Sequence, residues 1–275
     1  MKAEPVDKAP NGDTDAQTHA EAGDGDAMNR LGTELMEQDR VDEAEHWYTR
    51  AARGGHPGAM YNLGLLLFRH RDNCAEAESW WRRAAEAGHI RAMAALADTI
   101  VSHGDPGDAW PWYRRAAEEG DAEAAFGLAV LHADQGDTQA ALAWYQRAAD
   151  GGDARAMCNL AIHHGLHGDP GTEMSWWRRA AEAGNSRAAY NLAISLAGSD
   201  VAEAERWYRL AADSGYASAA TNLGILLAKR GDLAAAEPWL RQAAHSEDPN
   251  GRHNYGVLLR MTGREVEARA WLESL

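Results

Sequence analysis

Apolar positions recur along the chain in two alternating helical patterns. The first pattern places small and large apolar residues on one helix face, as in "AMYNLGLLL" at 59–67 and "ATNLGILL" at 220–227. The second pattern is an aromatic pair, two further residues and two alanines, as in "WWRRAA" at 80–85. Spacings of three and four residues are typical of an amphipathic α-helix. Because short polar stretches with Gly and Asp separate the patterns, each pair of patterns predicts a helix-turn-helix hairpin.

The hairpin pattern repeats along almost the whole chain. Its alanine pairs begin at residues 51, 84, 116, 148, 180, 211 and 243. We place the starts of the repeat units at residues 23, 55, 88, 120, 152, 184, 215 and 247. One hairpin cannot bury both of its apolar faces, whereas stacked hairpins can. The pattern therefore predicts an all-α solenoid of about eight helix-turn-helix repeats over residues 23–275, and the polar residues 1–22 are predicted to be a flexible acidic tail.

The segment "SWWRRAAEAG" occurs twice, at 79–88 and at 175–184. Adjacent tryptophans are typical of a stacking platform for a sugar or a base, or of a recurring core position. Aromatic pairs fill the same register at 47–48, 112–113, 144–145 and 207–208, so we interpret both tryptophan pairs as packing between helices. We also expect Arg82 to pair with Glu86 and Arg178 with Glu182, four residues further along each helix.

Composition narrows the function classes. The 275 residues carry a formal net charge of −15, which argues against nucleic acid or an anionic membrane as the main partner. The two cysteines, Cys74 and Cys158, indicate reduced thiols, and no stretch approaches 18 apolar residues. We therefore expect a cytoplasmic protein. The sequence contains no phosphate-binding glycine loop, nucleophile elbow or H-E-x-x-H motif, so we expect no cofactor and no enzymatic activity.

The repeat unit resembles a known superfamily. The stretch "WYRRAAEEGDAEAAFGLAVLHADQGD" at 112–137 and its copies resemble tetratricopeptide-like repeats, and within them the Sel-one-like branch. The resemblance implies a right-handed superhelix in which the first helices of the hairpins line the concave face. It also implies a scaffold that binds a protein or peptide partner.

One position of the first helix carries a recurrent asparagine. The residue before the central apolar residue is Asn62, Asn159, Asn191, Asn222 or Asn254 in five of the eight units. In the repeat arrays that this chain resembles, an asparagine here binds the backbone of an extended peptide. A carboxamide suits this role because it offers both a donor and an acceptor. The alternative is that these residues only cap or solvate the helix, since asparagine is a poor residue in the middle of a helix.

Cations accompany the asparagines in the later units. Arg155, Arg187, Lys229 and Arg260 fall at positions inferred to face the groove, together with Tyr190. No acidic residue falls at those inferred positions, which predicts a ligand with acidic groups or a free carboxylate. The alternative is that each cation pairs with a neighbouring acid.

Two further groups of residues leave alternatives open. Ala95 and Gly127 interrupt the asparagine series beside Phe126, and these small residues either open a pocket for a ligand side chain or permit closer packing. His163 and His167 would share a helix face if the helix extended to residue 167, but a metal site needs more converging ligands than this pair supplies.

The sequence as a whole predicts a non-enzymatic scaffold or adaptor that binds an extended peptide in its groove. A peptide-gated regulator and a metal-dependent enzyme are the alternatives. The array ends at "RAWLESL" without a polar capping helix, which makes self-association through the C-terminal end a further possibility, since solenoid ends normally carry a polar cap.

Overall fold

The computed structural model describes residues 13–246 and 249–272. Within these residues the chain forms seventeen α-helices and no strands. It divides into two compact units, residues 1–141 and 142–275. The all-α class predicted from the sequence is confirmed.

The helices of the first unit are α1 (Asp13–Glu21), α2 (Gly25–Glu37), α3 (Val41–Arg53), α4 (Pro57–His70), α5 (Cys74–Glu86), α6 (Ile90–His103), α7 (Pro106–Glu118) and α8 (Ala122–Asp134). Helix α9 (Thr138–Asp150) contains the boundary between the units. The second unit continues with α10 (Ala154–Leu166), α11 (Pro170–Glu182), α12 (Ser186–Leu196), α13 (Val201–Asp213), α14 (Ala217–Lys229), α15 (Leu233–His245), α16 (Pro249–Met261) and α17 (Glu265–Leu272).

Consecutive helices pack as hairpins within each unit. The even-numbered helices from α2 onwards carry the first sequence pattern, and the odd-numbered helices from α3 onwards carry the second. Each of these second helices follows its first helix after a short turn, and neighbouring hairpins pack in chain order. This is the consecutive helix-turn-helix packing that the sequence period predicts.

Glycines in the left-handed region connect one hairpin to the next. Gly184, for example, has a φ of +89° and lies between α11 and α12. Glycine adopts this conformation at little cost because it has no Cβ. The side chain of Asn185 then accepts a hydrogen bond from the Ala188 N–H at 2.9 Å and caps α12. Two adjacent residues, Gly184 and Asn185, are thus enough to determine the turn between these hairpins.

Small residues let the two helices of a hairpin approach closely. The paired alanines of the second helices are buried. A Cβ built on Gly64 of α4 would lie only 2.4 Å from Trp81 Nε1 of α5. Because such a separation is far below van der Waals contact, only glycine fits at this point of the hairpin.

The two identical decamers serve the core, as predicted. Both tryptophan pairs are buried. Their indole N–H groups nevertheless have different acceptors, since Trp81 donates to the Tyr61 carbonyl at 3.2 Å whereas Trp177 donates to Glu173 Oε1 at 3.1 Å. The same ten residues are therefore held by a neutral group in the first unit and by a carboxylate in the second.

The arginines of the decamers do not pair as the sequence predicted. Arg82 pairs with Glu78 at 2.6 Å, one turn before it instead of one turn after. Arg178 of α11 pairs with Glu203 of α13, which connects successive hairpins. The Arg178 guanidinium, and next the Trp207 indole N–H, lower the pKa of Glu203 to about 2. The partner of Arg178 therefore lies on another helix, where its guanidinium and the Glu203 carboxylate form a charge-assisted pair.

The predicted flexible tail is wrong for part of its length. Residues 13–21 form α1, which packs on α2, and Ala20 is fully buried. Among the residues of α1 whose burial is described, Ala20 is the one that contributes to the core. The rest of the predicted tail, residues 1–12, lies outside the described residues.

Candidate functional site

The five asparagines predicted to bind a peptide lie in the middle or second turn of first helices, and all five are half-buried. Asn62 lies on α4 in the first unit, whereas the others lie on α10, α12, α14 and α16 in the second unit. Their hydrogen bonds differ from unit to unit. The equivalent register therefore does not give equivalent chemistry.

Asn222 lies in a cluster of tyrosines. Its Nδ2 donates to Tyr190 Oη at 3.4 Å. The Tyr190 ring lies 6.1 Å from the Tyr208 ring and 5.0 Å from the Tyr216 ring. Burial raises the pKa of the Tyr208 hydroxyl, and a hydrogen bond with Asn222 acts in the opposite direction. Two of the predicted site residues, Asn222 and Tyr190, are thus brought together.

A pocket of about 410 Å³ opens beside this cluster. Asn222, Ile225 and Lys229 of α14 line one side of it, and Val201 and Tyr208 of α13 line another. Val201 is exposed, which gives the pocket an apolar edge. The size falls in the range of ligand sites, about 300–1,000 Å³. A carboxamide, an ammonium group and aliphatic side chains therefore share one concave surface.

Only part of the predicted basic strip is available. Arg155 pairs with Asp153 at 2.6 Å, and Arg260 lies 3.8 Å from Glu265. Arg187 and Lys229 are exposed, and neither has an ion-pair partner in the part of the chain that the structure describes. The alternative of pairing with a neighbouring acid therefore holds for the first two cations and not for the other two.

The other asparagines divide into engaged and unengaged groups. Asn254 donates to the Asn250 carbonyl at 2.8 Å, so it bonds back to its own helix. Asn62 donates to Asn29 Oδ1 at 2.9 Å. The side-chain amides of Asn159 and Asn191 have no hydrogen-bond partner among the residues described.

The two small residues that interrupt the series have different surroundings. A Cβ on Gly127 would lie 2.6 Å from Tyr113 Cε1, so glycine permits close packing there. Ala95 instead lines a cavity. Phe126, beside Gly127, is half-buried.

His163 of α10 forms a ring pair with His167, the residue that follows the last residue of this helix. The rings of His163 and His167 are 4.1 Å apart. Burial lowers the pKa of His163, and the neighbouring histidines act in the same direction. In the described residues, no group of three or more His, Cys, Asp or Glu side chains is placed to hold a metal ion.

Tyr208 is the site residue that the sequence pattern missed. As the second aromatic of its hairpin it was interpreted as core, and its ring is indeed buried. Tyr208 also lines the pocket beside Asn222, and its hydroxyl is hydrogen-bonded with Asn222. A tyrosine at a position that tryptophan fills elsewhere was the available signal, because a buried tyrosine normally needs a partner for its hydroxyl.

Successive helical hairpins, with small and aromatic residues at fixed positions, define an α-solenoid repeat protein. This class is typical of protein-interaction scaffolds. Family models described as tetratricopeptide repeat match residues 29–89, 94–156, 217–242 and 249–274, and the Sel1 repeat model matches residues 154–185 and 186–216. The chain belongs to the tetratricopeptide-like repeat superfamily and carries Sel1 repeats in its second unit.

Solved structures give the same picture. The protective antigen c5321 of uropathogenic Escherichia coli, which displays an SLR fold, is 25% identical with a TM-score of 0.69, over 94% of this chain and 62% of that one. A Sel1 repeat protein from Oxalobacter formigenes is 25% identical with a TM-score of 0.68, over 79% of this chain and 99% of that one. The chain thus spans less than two thirds of the first of these proteins.

No curated protein matches the chain. Among the described residues, no helix combines the length and the apolar character that crossing a membrane requires.

Proposed function

We propose that the protein is a non-enzymatic scaffold that binds an extended peptide on the first-helix surface of its second unit. The observation that carries this proposal is the pocket beside Asn222, where the Asn222 carboxamide, Tyr208 and Lys229 line one concavity. Asn222 would bind the peptide backbone. Lys229 would bind an acidic side chain or a terminal carboxylate of the ligand.

Burial and charge support this assignment. The Asn222 amide is half-buried and its present bond to Tyr190, at 3.4 Å, is long for a hydrogen bond. A peptide group that replaces it would gain a shorter bond at small cost. Asn191 and Asn159, whose amides have no partner among the described residues, would extend the same contact along the ligand.

The lysine supports a preference for acidic ligands. Lys229 is exposed on the pocket rim and has no ion-pair partner in the described residues, although the protein carries a net charge of −15. An unpaired cation in an acidic protein creates a local positive potential, which favours a ligand of opposite charge.

Selection of a peptide tests the proposal. Random ten-residue peptides displayed on phage would be selected on the full chain, and fluorescence anisotropy would measure the affinity of the winners. Asn222→Ala should weaken binding by about 5- to 30-fold, the equivalent of one or two kcal/mol. Gln146→Ala, which removes a carboxamide from the second helix α9, should leave affinity unchanged.

A charge variant tests the acidic preference separately. Lys229→Gln should weaken the binding of acidic peptides and leave the binding of neutral peptides unchanged. Arg206→Gln on α13 removes the same charge outside the pocket and is the matched control. Peptides that bind Asn222→Ala and Lys229→Gln as tightly as the unaltered chain would overturn the proposed site.

A further inference from the structure

A second cavity lies in the first unit, on the surface that α4, α6 and α8 form. Its volume is about 480 Å³, and Tyr61, Leu65 and Ala95 are among its lining residues. Ala95 fills the register at which the second unit has asparagine, so no carboxamide occupies this space. The size is that of a small-ligand site.

Two arginines border the cavity without partners. Arg69 of α4 and Arg91 of α6 are exposed, and neither makes a hydrogen bond or an ion pair with any residue of the described chain. Other arginines of this unit, such as Arg71 and Arg82, pair with acids. A guanidinium has a fixed fork of donors that matches a carboxylate. The two free forks therefore provide an anion-binding edge.

Three acids border the same cavity. They are Asp98 of α6 and Asp121 and Glu123 at the start of α8. Asp98 accepts a hydrogen bond from the Tyr113 hydroxyl, and Asp121 Oδ1 accepts from the Ala124 N–H at 2.8 Å. These bonds fix the two carboxylates in place. The cavity thus has an acidic edge as well as a basic one.

The charged residues on both edges of the cavity affect the pKa of the Tyr61 hydroxyl. Burial raises the pKa of Tyr61, Arg91 and Arg69 act in the opposite direction, and Glu123 and Asp121 act with burial. The Tyr61 ring is held by stacking on the ring of His89, with centroids 4.8 Å apart. A fixed aromatic ring therefore lies within the range of the charges on both edges.

We propose that this cavity binds a peptide segment that carries a carboxylate and an ammonium group on the same face, with the carboxylate at Arg69 and Arg91 and the ammonium at the acidic edge. A doubly charged anion such as a phosphate ester is disfavoured, because the three acids would repel it. A purely cationic ligand is disfavoured by the arginines. The proposal concerns the first unit and does not depend on the peptide site of the second unit.

The test uses three capped pentapeptides, Gly-Glu-Ala-Lys-Gly and its versions with Gln in place of Glu or of Lys. Side chains two residues apart lie on one face of an extended peptide. Each peptide would be titrated into the ¹⁵N-labelled full chain while NMR follows the arginine Nε–H signals. The Glu/Lys peptide should bind about 10-fold more tightly than either Gln version, since loss of one charged contact is worth about 1.4 kcal/mol or more.

Paired variants locate the site. The double variant Arg69→Gln/Arg91→Gln should bind the Glu/Lys peptide about 10-fold more weakly, or weaker still. Arg53→Gln/Arg115→Gln removes the same charge from exposed positions of this unit outside the cavity and should leave binding unchanged. Equal binding of the three peptides, equal behaviour of the two double variants, or no binding at all would overturn the proposal. Tighter binding of a phosphoserine peptide would overturn it too.

Discussion

The contact between Gly64 and Trp81 makes a sharp prediction about packing. Substitution of Gly64 by alanine would place a Cβ at 2.4 Å from Nε1, 2.6 Å from Cδ1 and 2.9 Å from Cε2 of the indole. Favourable contact between such atoms requires about 3.5–4.0 Å, so the ring would have to move by about 1 Å. The Trp81 ring is buried, and its N–H donates a hydrogen bond to the Tyr61 carbonyl. The movement would therefore also break that bond.

The expected cost follows from three opposing contributions. Overpacking of a core costs about 1–3 kcal/mol, and loss of the indole hydrogen bond costs about 1 kcal/mol. Replacement of glycine by alanine within a helix returns about 1 kcal/mol. Gly64→Ala should therefore lower the free energy of unfolding by about 1–3 kcal/mol, although alanine is the better helix former.

Gly58→Ala is the matched control, because it makes the same change in the same helix. Its Cβ would meet nothing closer than the edge of the His56 ring, at 3.2 Å. Urea denaturation followed by tryptophan fluorescence would give the overall effect, and amide hydrogen exchange would localise it to α4 and α5. A Gly64→Ala chain as stable as the Gly58→Ala chain, with unchanged exchange in these helices, would refute the packing argument.

Three further predictions concern acidity, backbone conformation and thiol reactivity. The pKa of Glu203 is lowered to about 2 from an ordinary 4.5, so its stabilising contribution is complete above pH 4.5 and is lost as the pH falls towards 2. Between pH 6 and pH 2, the unfolding temperature of Glu203→Gln should fall less than that of the exposed control Glu86→Gln, because the variant has no carboxylate to protonate at position 203. A difference in unfolding temperature between the two variants that is the same at every pH would contradict this. Gly184→Ala should destabilise the chain by about 1–2 kcal/mol in urea denaturation, because its φ is +89°, whereas an effect as small as that of an exposed helix substitution would argue against strain. Burial raises the pKa of Cys158 to about 11, so iodoacetamide at pH 8 should alkylate Cys74 first and Cys158 only after denaturation, and equal rates by mass spectrometry would disprove this.

The period of the sequence predicted the hairpins because each of them repeats the same local chemistry. Small residues and a tryptophan recur at fixed positions in every unit, and a glycine turn lies in most of them, so pattern alone locates the helices. Helix α1 escaped this reasoning. Its nine residues have no apolar period, and only Ala20 is buried among those whose burial is described. It forms because it packs on α2. The sequence of α1 alone does not show that α2 offers a surface for it to pack against.

Contacts between hairpins were also beyond the sequence rules. The rule for residues four apart assigned Glu182 to Arg178, but the actual partner is Glu203, 25 residues away on another helix. Register alone likewise placed Asn222 and Asn254 as equals. Asn222 donates a hydrogen bond to a tyrosine of the preceding hairpin, whereas Asn254 donates a hydrogen bond to a carbonyl of its own helix. These outcomes depend on which side chains the neighbouring hairpin presents, and a single repeat does not contain that information.

The different acceptors of the two repeated indoles give the protein an internal pair of probes. Trp81 and Trp177 share the same ten-residue context, yet one N–H faces a neutral carbonyl and the other a carboxylate. The NMR signal of an indole N–H responds to the charge of its acceptor. The Trp81 and Trp177 indole N–H groups are therefore expected to give different NMR signals although their local sequences are identical, and each lies in a different unit of the chain.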